Sequence, residues 1–206
     1  MKNIDTLIEK AAKLKSEGLV EGQISEELNI SRETVTWLLT HAEEKGDTPG
    51  PKDISVDWST IGRNAYRLRY ISQALTDMIY ECLEESSESV DLVVGIALSG
   101  VPLANMVAET MEVDMAIYTP SKQRWSQENN VVTKGSFSAN FANVKENECV
   151  VVDDVITSGR TLKEAVKMLS MRGARTNAIG VVLDKKGIVD IAGVPVRSLL
   201  KVIRVN

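Results

Sequence analysis

Cysteine and histidine are scarce in this sequence of 206 residues, which contains two cysteines and one histidine. Cys82 and Cys149 lie far apart without a neighbouring cysteine, and His41 stands alone. A zinc site built from cysteine and histidine is therefore excluded, and a disulfide framework is not expected. Glycine and proline, at 13 and 5 residues, are too few for a chain dominated by linkers.

Long apolar runs are also missing, and none approaches the roughly 20 residues that a membrane-spanning helix needs. The first fifteen residues carry charges every few positions and lack the apolar segment of a signal peptide. We therefore expect a cytoplasmic protein with reduced thiols and no membrane partner. Apolar residues make up 43% and charged residues 26% of the sequence, which is ordinary for a globular chain.

Basic residues are fewer than acidic ones, 24 against 29, so the net charge of the chain is −5. Residues 1–48 contain six basic and ten acidic residues, a net charge of −4, and the remaining 18 basic and 19 acidic residues give −1. The basic footprint typical of nucleic-acid binding is therefore absent at the level of the whole chain. Any DNA-binding segment must bind weakly as a monomer, or act as two copies with local basic patches.

The sequence changes character near residue 47, because the glycines and prolines of residues 46–51 interrupt any helix. Apolar spacing predicts three helices before this point. After it, one face of a long helix runs from Ile61 through Ala65 to Cys82, and short apolar strands then alternate with helices. We predict a helical domain over residues 1–47, a linker over 48–57 and an α/β domain with a parallel sheet over 58–206.

The second and third predicted helices have the spacing of a helix-turn-helix. Ile24 and Leu28 anchor the first of them, Ile30 fills the corner, and Val35 and Leu38 anchor the second. In such modules the N-terminal end of the second helix enters the major groove of double-stranded DNA. The candidate DNA-binding residues, of which all but the capping serine are expected to face outward, are Ser31, Arg32, Glu33, Thr34 and Thr36. A three-helix docking or dimerisation domain with the same packing remains open.

The segment VVVDDVITSGRT, residues 150–161, is the most specific in the chain. It predicts a buried strand that ends in two carboxylates, Asp153 and Asp154, and leads through a short hydroxyl-rich loop into a helix. Backbone N–H groups at a helix N-terminus bind phosphate, and acids beside such a site suit the hydroxyls of a ribose. The alternative is a plain strand–turn–helix corner in which Asp153 and Thr157 are turn and cap residues.

This segment resembles the phosphoribosyl-pyrophosphate signature of type I phosphoribosyltransferases, and residues 58–206 are most similar to the orotate branch of that family. The resemblance implies the type I phosphoribosyltransferase fold, a parallel sheet flanked by helices. The residues that it implies for ligand binding are Asp153 and Asp154 for ribose, Thr157, Ser158, Gly159, Arg160 and Thr161 for the 5′-phosphate, and Ser99 and Gly100 in a loop that meets pyrophosphate. It implies no metal held by protein side chains, and Mg²⁺ only with a pyrophosphate-containing ligand.

Orotate phosphoribosyltransferases also carry a mobile loop with lysine, histidine and glycine that closes over the transition state. The corresponding stretch here, residues 119–130, has Lys122 and Arg124 and no histidine. These two cations are catalytic residues only if the chain is an enzyme, because they would stabilise the leaving pyrophosphate. A loop without the family's other parts is expected to bind ligand without turning it over.

A helix-turn-helix followed by such a domain resembles the archaeal orotate phosphoribosyltransferase-like transcriptional regulators. The resemblance implies a DNA-binding homodimer whose transferase fold senses phosphoribosyl pyrophosphate or another small phosphorylated sugar or nucleotide. An active phosphoribosyltransferase with an appended helical domain remains the alternative.

Overall fold

The computed structural model describes residues 2–40, 53–121 and 134–203. The chain divides into two compact units, Met1–Trp58 and Ser59–Asn206, each with its own core. None of the described helices is both long and apolar enough to cross a membrane.

In the first unit, the residues that the structure describes form three helices, α1 (Lys2–Ser16), α2 (Glu21–Glu27) and α3 (Arg32–Thr40). Its core is small and contains all five anchor residues predicted from the sequence; the buried apolar residues are Ala11, Ile24, Leu28, Ile30, Val35 and Leu38. Asn29 adopts a left-handed backbone conformation with φ of 52° between α2 and α3. Asparagine tolerates this conformation better than most residues, so it allows the sharp turn.

Residues 53–57, which the sequence assigns to the linker, form hydrogen bonds with this helical unit. The Asn29 side-chain amide donates to the carbonyl of Val56 at 3.1 Å, and the Ser55 hydroxyl donates to the carbonyl of Leu28 at 3.1 Å. These contacts attach the segment to the turn between α2 and α3.

The described part of the second unit contains four helices, α4 (Ser59–Gly62), α5 (Ala65–Ser86), α6 (Gly100–Met111) and α7 (Arg160–Ser170). The single long helix predicted from Ile61 to Cys82 is therefore interrupted. Asn64 caps α5 by accepting a hydrogen bond from the backbone N–H of Arg67 at 3.2 Å. Asparagine is strongly preferred at this position. The prediction that Ala65 lies on the buried face is wrong, because Ala65 is exposed in the first turn of the new helix.

The sheet has seven strands in the order β3-β2-β1-β4-β5-β7-β6. Five of them are parallel, and the edge strands β3 and β6 are antiparallel to their neighbours. The strands are β1 (Leu92–Ile96), β2 (Asp114–Thr119), β3 (Ser136–Phe137), β4 (Glu148–Ile156), β5 (Arg175–Asp184), β6 (Asp190–Ile191) and β7 (Val194–Lys201). Helices pack on this sheet, as the alternation of apolar strands and helices predicted.

The strand order reverses at β1, which lies between β2 and β4. Open α/β sheets bind ligands at such a switch point, outside the carboxyl ends of the strands. The pairing of β1 with β4 ends at Gly95 and Val152, whereas β4 continues beside β5 as far as Ile156. The end of β4 therefore extends beyond β1 at the place where the topology predicts a binding crevice.

Candidate functional site

The two consecutive aspartates lie in the part of β4 that extends beyond β1. The sequence predicted a strand that ends in Asp153 and Asp154; both are strand residues, but β4 continues beyond them to Ile156. Pairing with β5 outweighs the low strand preference of aspartate here. Asp153 is 9% and Asp154 8% exposed, and the Asp154 N–H donates to Asp153 Oδ1 at 2.9 Å.

The loop after β1 lies directly against this acidic pair. Gly100 is buried, and a Cβ atom placed on it would lie 2.8 Å from the Val152 carbonyl oxygen and 3.1 Å from Asp153 Oδ1. Only glycine fits here without moving backbone atoms. Ser99 precedes α6 and makes no side-chain capping bond, so α6 begins beside the carboxylates without a side-chain cap. The structure thus brings Gly100, which follows Ser99 at the start of α6, next to the acidic pair.

The loop after β4 leads into a second helix that has no side-chain cap. Gly159 has φ of +74°, a conformation that favours glycine, and α7 begins at Arg160. Ser158 and Arg160 are exposed. Thr157, Gly159 and Thr161 are half-buried. The first N–H groups of a helix have no acceptor within the helix, and they carry the positive end of its dipole. Two helix N-termini therefore accompany the two carboxylates.

Asp184 organises the segment next to the loop of residues 157–161, a role that no specific signal in the sequence indicated. It is fully buried and accepts hydrogen bonds from the backbone N–H groups of Lys186, Gly187 and Ile188 at 2.6–3.0 Å. A Cβ atom on Gly159 would lie 3.0 Å from the Ile188 side chain. The turn held by Asp184 therefore packs against the loop that the sequence assigns to phosphate.

Glu164 of α7 binds the chain just before residues 122–133, which contain the predicted cations Lys122 and Arg124 and lie outside the described residues. It accepts hydrogen bonds from the Tyr118 hydroxyl at 2.8 Å, the Ser121 N–H at 3.1 Å and the Ser121 hydroxyl at 2.9 Å. Burial, followed by the Glu164 hydrogen bond, raises the pKa of Tyr118 far above its usual value. The phenol therefore stays protonated and donates.

Replacing Glu164 with alanine is expected to lower the stability of the second unit by about 1–3 kcal/mol, because the buried Tyr118 hydroxyl loses its acceptor. Glu164→Gln keeps one acceptor oxygen, so its melting temperature should lie between those of the wild type and Glu164→Ala. Thermal melting of the full chain measures the effect. Lys163→Ala, an exposed change on the same helix, is the control. Equal melting temperatures for the two alanine variants would contradict the assigned role.

The candidate DNA-binding residues of the first unit are not all placed as predicted. Arg32, Glu33 and Thr36 are exposed and Ser31 is half-buried. The prediction that Thr34 faces outward is wrong: it is 5% exposed, because it lies one helical turn before the core residue Leu38.

Asp53 completes the cap of α3, a contact that sequence reasoning missed. The Thr34 N–H donates to the Ser31 hydroxyl at 3.2 Å, which is half of a capping box. The other half needs an acceptor for the Ser31 N–H, and threonine is too short to provide one. Asp53 Oδ2 accepts from that N–H at 2.7 Å and from the Thr34 hydroxyl at 2.9 Å.

Arg32 and Thr36 of α3 lie close to the first turn of α2. The Thr36 hydroxyl donates to Glu21 Oε2 at 3.2 Å. A Cβ atom on Gly22 would lie 2.5 Å from Arg32 Nη2, so the guanidinium lies against this glycine. The exposed side of α3 thus offers an arginine and a hydroxyl next to the beginning of α2.

Comparison with known proteins places this arrangement in a family. The Phosphoribosyl transferase domain family matches residues 64–188. Over 100% of both chains, the sequence is 66% identical to a protein of Methanothrix thermoacetophila named "Transcriptional regulator GfcR" and 51% identical to "Transcriptional regulator GfcR 1" of Methanosarcina barkeri. The chain belongs to the GfcR family of transcriptional regulators.

The comparison with solved structures agrees with this assignment. Orotate phosphoribosyltransferase from Aeropyrum pernix superimposes with a TM-score of 0.56 at 16% identity, covering 88% of this chain and 93% of that chain. At this identity the likeness shows the fold alone. The chain is a transcriptional regulator in which a small helical domain precedes a domain of the type I phosphoribosyltransferase fold.

Proposed function

We propose that the chain is a DNA-binding regulator whose second unit senses phosphoribosyl pyrophosphate or a related phosphorylated sugar or nucleotide. The observation that carries the proposal is the acidic pair at the switch point, accompanied by two helix N-termini without side-chain caps. Carboxylates accept hydrogen bonds from sugar hydroxyls, and helix N-termini attract phosphate, so a sugar carrying phosphates is complementary to both.

The ligand-binding roles follow from these positions. Asp153 and Asp154 bind the ribose hydroxyls, and residues 157–161 bind the 5′-phosphate. Ser99 and Gly100 approach a pyrophosphate group. Mg²⁺ would enter only with a pyrophosphate-containing ligand, held mainly by the oxygens of that ligand and by water. Among residues 2–40, 53–121 and 134–203, no group of three or more His, Cys, Asp or Glu side chains forms a metal site.

The first unit binds double-stranded DNA through the exposed side of α3. Arg32 reads a base edge and Thr36 contacts a base or a phosphate. A homodimer would present two copies of α3 to a palindromic site, which would compensate for the unfavourable charge of each unit. A cytoplasmic location belongs to the same proposal.

Isothermal titration tests the sensing role. Phosphoribosyl pyrophosphate with Mg²⁺ is injected into the full chain, and orotate is then added to the same cell. A single binding isotherm without further heat supports a sensor. Sustained heat after orotate would mean turnover and would identify the chain as a phosphoribosyltransferase, contrary to the proposal. No binding at millimolar ligand would also contradict it.

Arg32→Ala is expected to weaken binding to the preferred DNA sequence by about 1–3 kcal/mol if the guanidinium reads a base. Binding to random DNA should change much less. Fluorescence anisotropy with both duplexes measures the two affinities, and Lys13→Ala, an exposed change on α1 that removes the same charge, is the control. An equal loss on both duplexes would make Arg32 a phosphate contact and would contradict its role in sequence reading.

A further inference from the structure

The beginning of the second unit carries positive charge without nearby acidic residues in the sequence. Arg63, Arg67 and Arg69 lie between Asp57 and Asp77, and no other charged residue occurs in this interval. The first turn of α5 contains no acidic residue. This local charge differs from the net charge of −4 that residues 1–48 carry.

Two exposed tyrosines occur among the three arginines in the sequence. Tyr66 is 68% and Tyr70 54% exposed, although aromatic side chains of this size are usually mostly buried. Their ring centroids are 4.9 Å apart in an edge-to-face arrangement, and the Tyr70 hydroxyl donates to that of Tyr66 at 3.0 Å. All three arginines are exposed as well. We call these five residues the α5 patch.

The helical period arranges four residues of the α5 patch on the side of α5 that faces away from the core, and Arg63 precedes this helix by two residues. At about 100° per residue, Arg67 and Arg69 fall on either side of the tyrosine pair. Leu68 and Leu75 are buried on the opposite side. The Arg67 guanidinium donates to the Thr60 carbonyl at 2.6 Å, which restrains the side chain. A restrained arginine loses less conformational freedom when it binds a partner.

A phosphodiester backbone has the chemistry that this surface fits. Arginine and tyrosine side chains are common donors to DNA phosphates. DNA affinity comes largely from phosphate neutralisation, which the acidic first unit is poorly equipped to provide. Arg63 follows Trp58, the last residue of the first unit, by only five residues in the sequence.

We propose that the α5 patch is a second DNA-contacting surface, which binds the phosphates of the duplex without reading its sequence. The proposal rests on the proposed function, because it concerns DNA that the first unit recognises. Under it, the second unit supplies the positive charge that the first unit lacks. DNA binding thereby also involves the unit that holds the candidate ligand site.

The test compares three full-length proteins by anisotropy on the DNA upstream of the chain's own gene, between 50 and 300 mM salt. In the first, Arg63, Arg67 and Arg69 are each changed to glutamine. In the second, the same residues are changed to lysine, which keeps the charge. The third is a charge-matched control with glutamine at three exposed lysines elsewhere in the second unit, Lys145, Lys167 and Lys201.

Each lost phosphate contact reduces the slope of log affinity against log salt by about 0.9. The arginine-to-glutamine variant should therefore have a slope that is shallower by about 2 to 3, and an affinity that is about 10- to 100-fold lower at 100 mM salt. The lysine variant should keep most of the wild-type slope. Circular dichroism and sedimentation establish that fold and oligomeric state are unchanged.

Equal slopes for the arginine-to-glutamine variant and the charge-matched control would overturn the proposal. A loss of affinity that accompanies a change in oligomeric state would overturn it too. If the wild-type chain itself does not bind DNA, the proposed function is wrong. That outcome is distinct from the two that overturn the role of the α5 patch, because they require a wild type that binds.

Discussion

A double variant, Asp153→Asn with Asp154→Asn, is expected to lose at least about 100-fold in affinity for phosphoribosyl pyrophosphate, because hydrogen bonds to charged groups contribute about 1.5–3 kcal/mol each. Asparagine has nearly the shape of aspartate, so the acceptor strength changes while the packing of β4 is kept. Both side chains are less than a tenth exposed, which leaves little room for water to compensate. Isothermal titration in the presence of Mg²⁺ measures the loss.

The matched control for this pair changes two exposed aspartates of the second unit, Asp77→Asn with Asp114→Asn. This control alters the net charge by the same amount and leaves the carboxyl ends of the strands unchanged. Melting temperatures of both double variants show whether the fold survives. An affinity of the Asp153 and Asp154 variant within threefold of the control, with the fold intact, would place the ligand elsewhere.

Asp53→Ala is expected to destabilise the first unit by about 1–3 kcal/mol, because the Ser31 N–H and the Thr34 hydroxyl lose their acceptor. Among the described residues, the core of this unit contains six buried apolar side chains, so such a loss is a large part of its stability. The N-terminal turn of α3 should fray, and DNA affinity should fall with it. Circular dichroism melting and anisotropy measure the two effects.

Asp57→Ala is a control of the same residue type in the same segment. Asp57 Oδ2 lies 3.7 Å from Lys10 Nζ, with both side chains more than half exposed. Exposed ion pairs contribute about 0–1 kcal/mol, so this variant should melt close to the wild type. If Asp53→Ala melts like Asp57→Ala, the cap supplied by Asp53 does not support α3.

The sequence predicted the strand and turn of residues 150–161 well because its signals are local. The run of valines, the acidic pair and the loop with Gly159 follow one another within twelve residues, and the valines and Gly159 adopt conformations that these residues favour. The extension of β4 beyond Asp154 to Ile156 was not predictable in this way. It depends on pairing with β5, which a single strand does not reveal.

The residues that sequence reasoning missed act across long separations. Asp53 and Ser31 are 22 residues apart, and Glu164 and Tyr118 are 46 apart. A charged residue on a predicted helix or in a linker is expected to be exposed to solvent unless its partner is known. Thr34 was assigned to the wrong side of α3 for a related reason, since a polar side chain in a small core needs an acceptor such as Asp53 to be buried.

The most direct test of the account is the affinity of the full chain for its upstream DNA, measured with and without saturating phosphoribosyl pyrophosphate and Mg²⁺. Allosteric coupling typically changes affinity by about 5- to 150-fold, and we expect a change in this range for the wild type. For the double variant at Asp153 and Asp154, the ligand should not change the DNA affinity. If the ligand binds the wild type but its DNA affinity stays within twofold, the second unit is not the sensor that controls DNA binding.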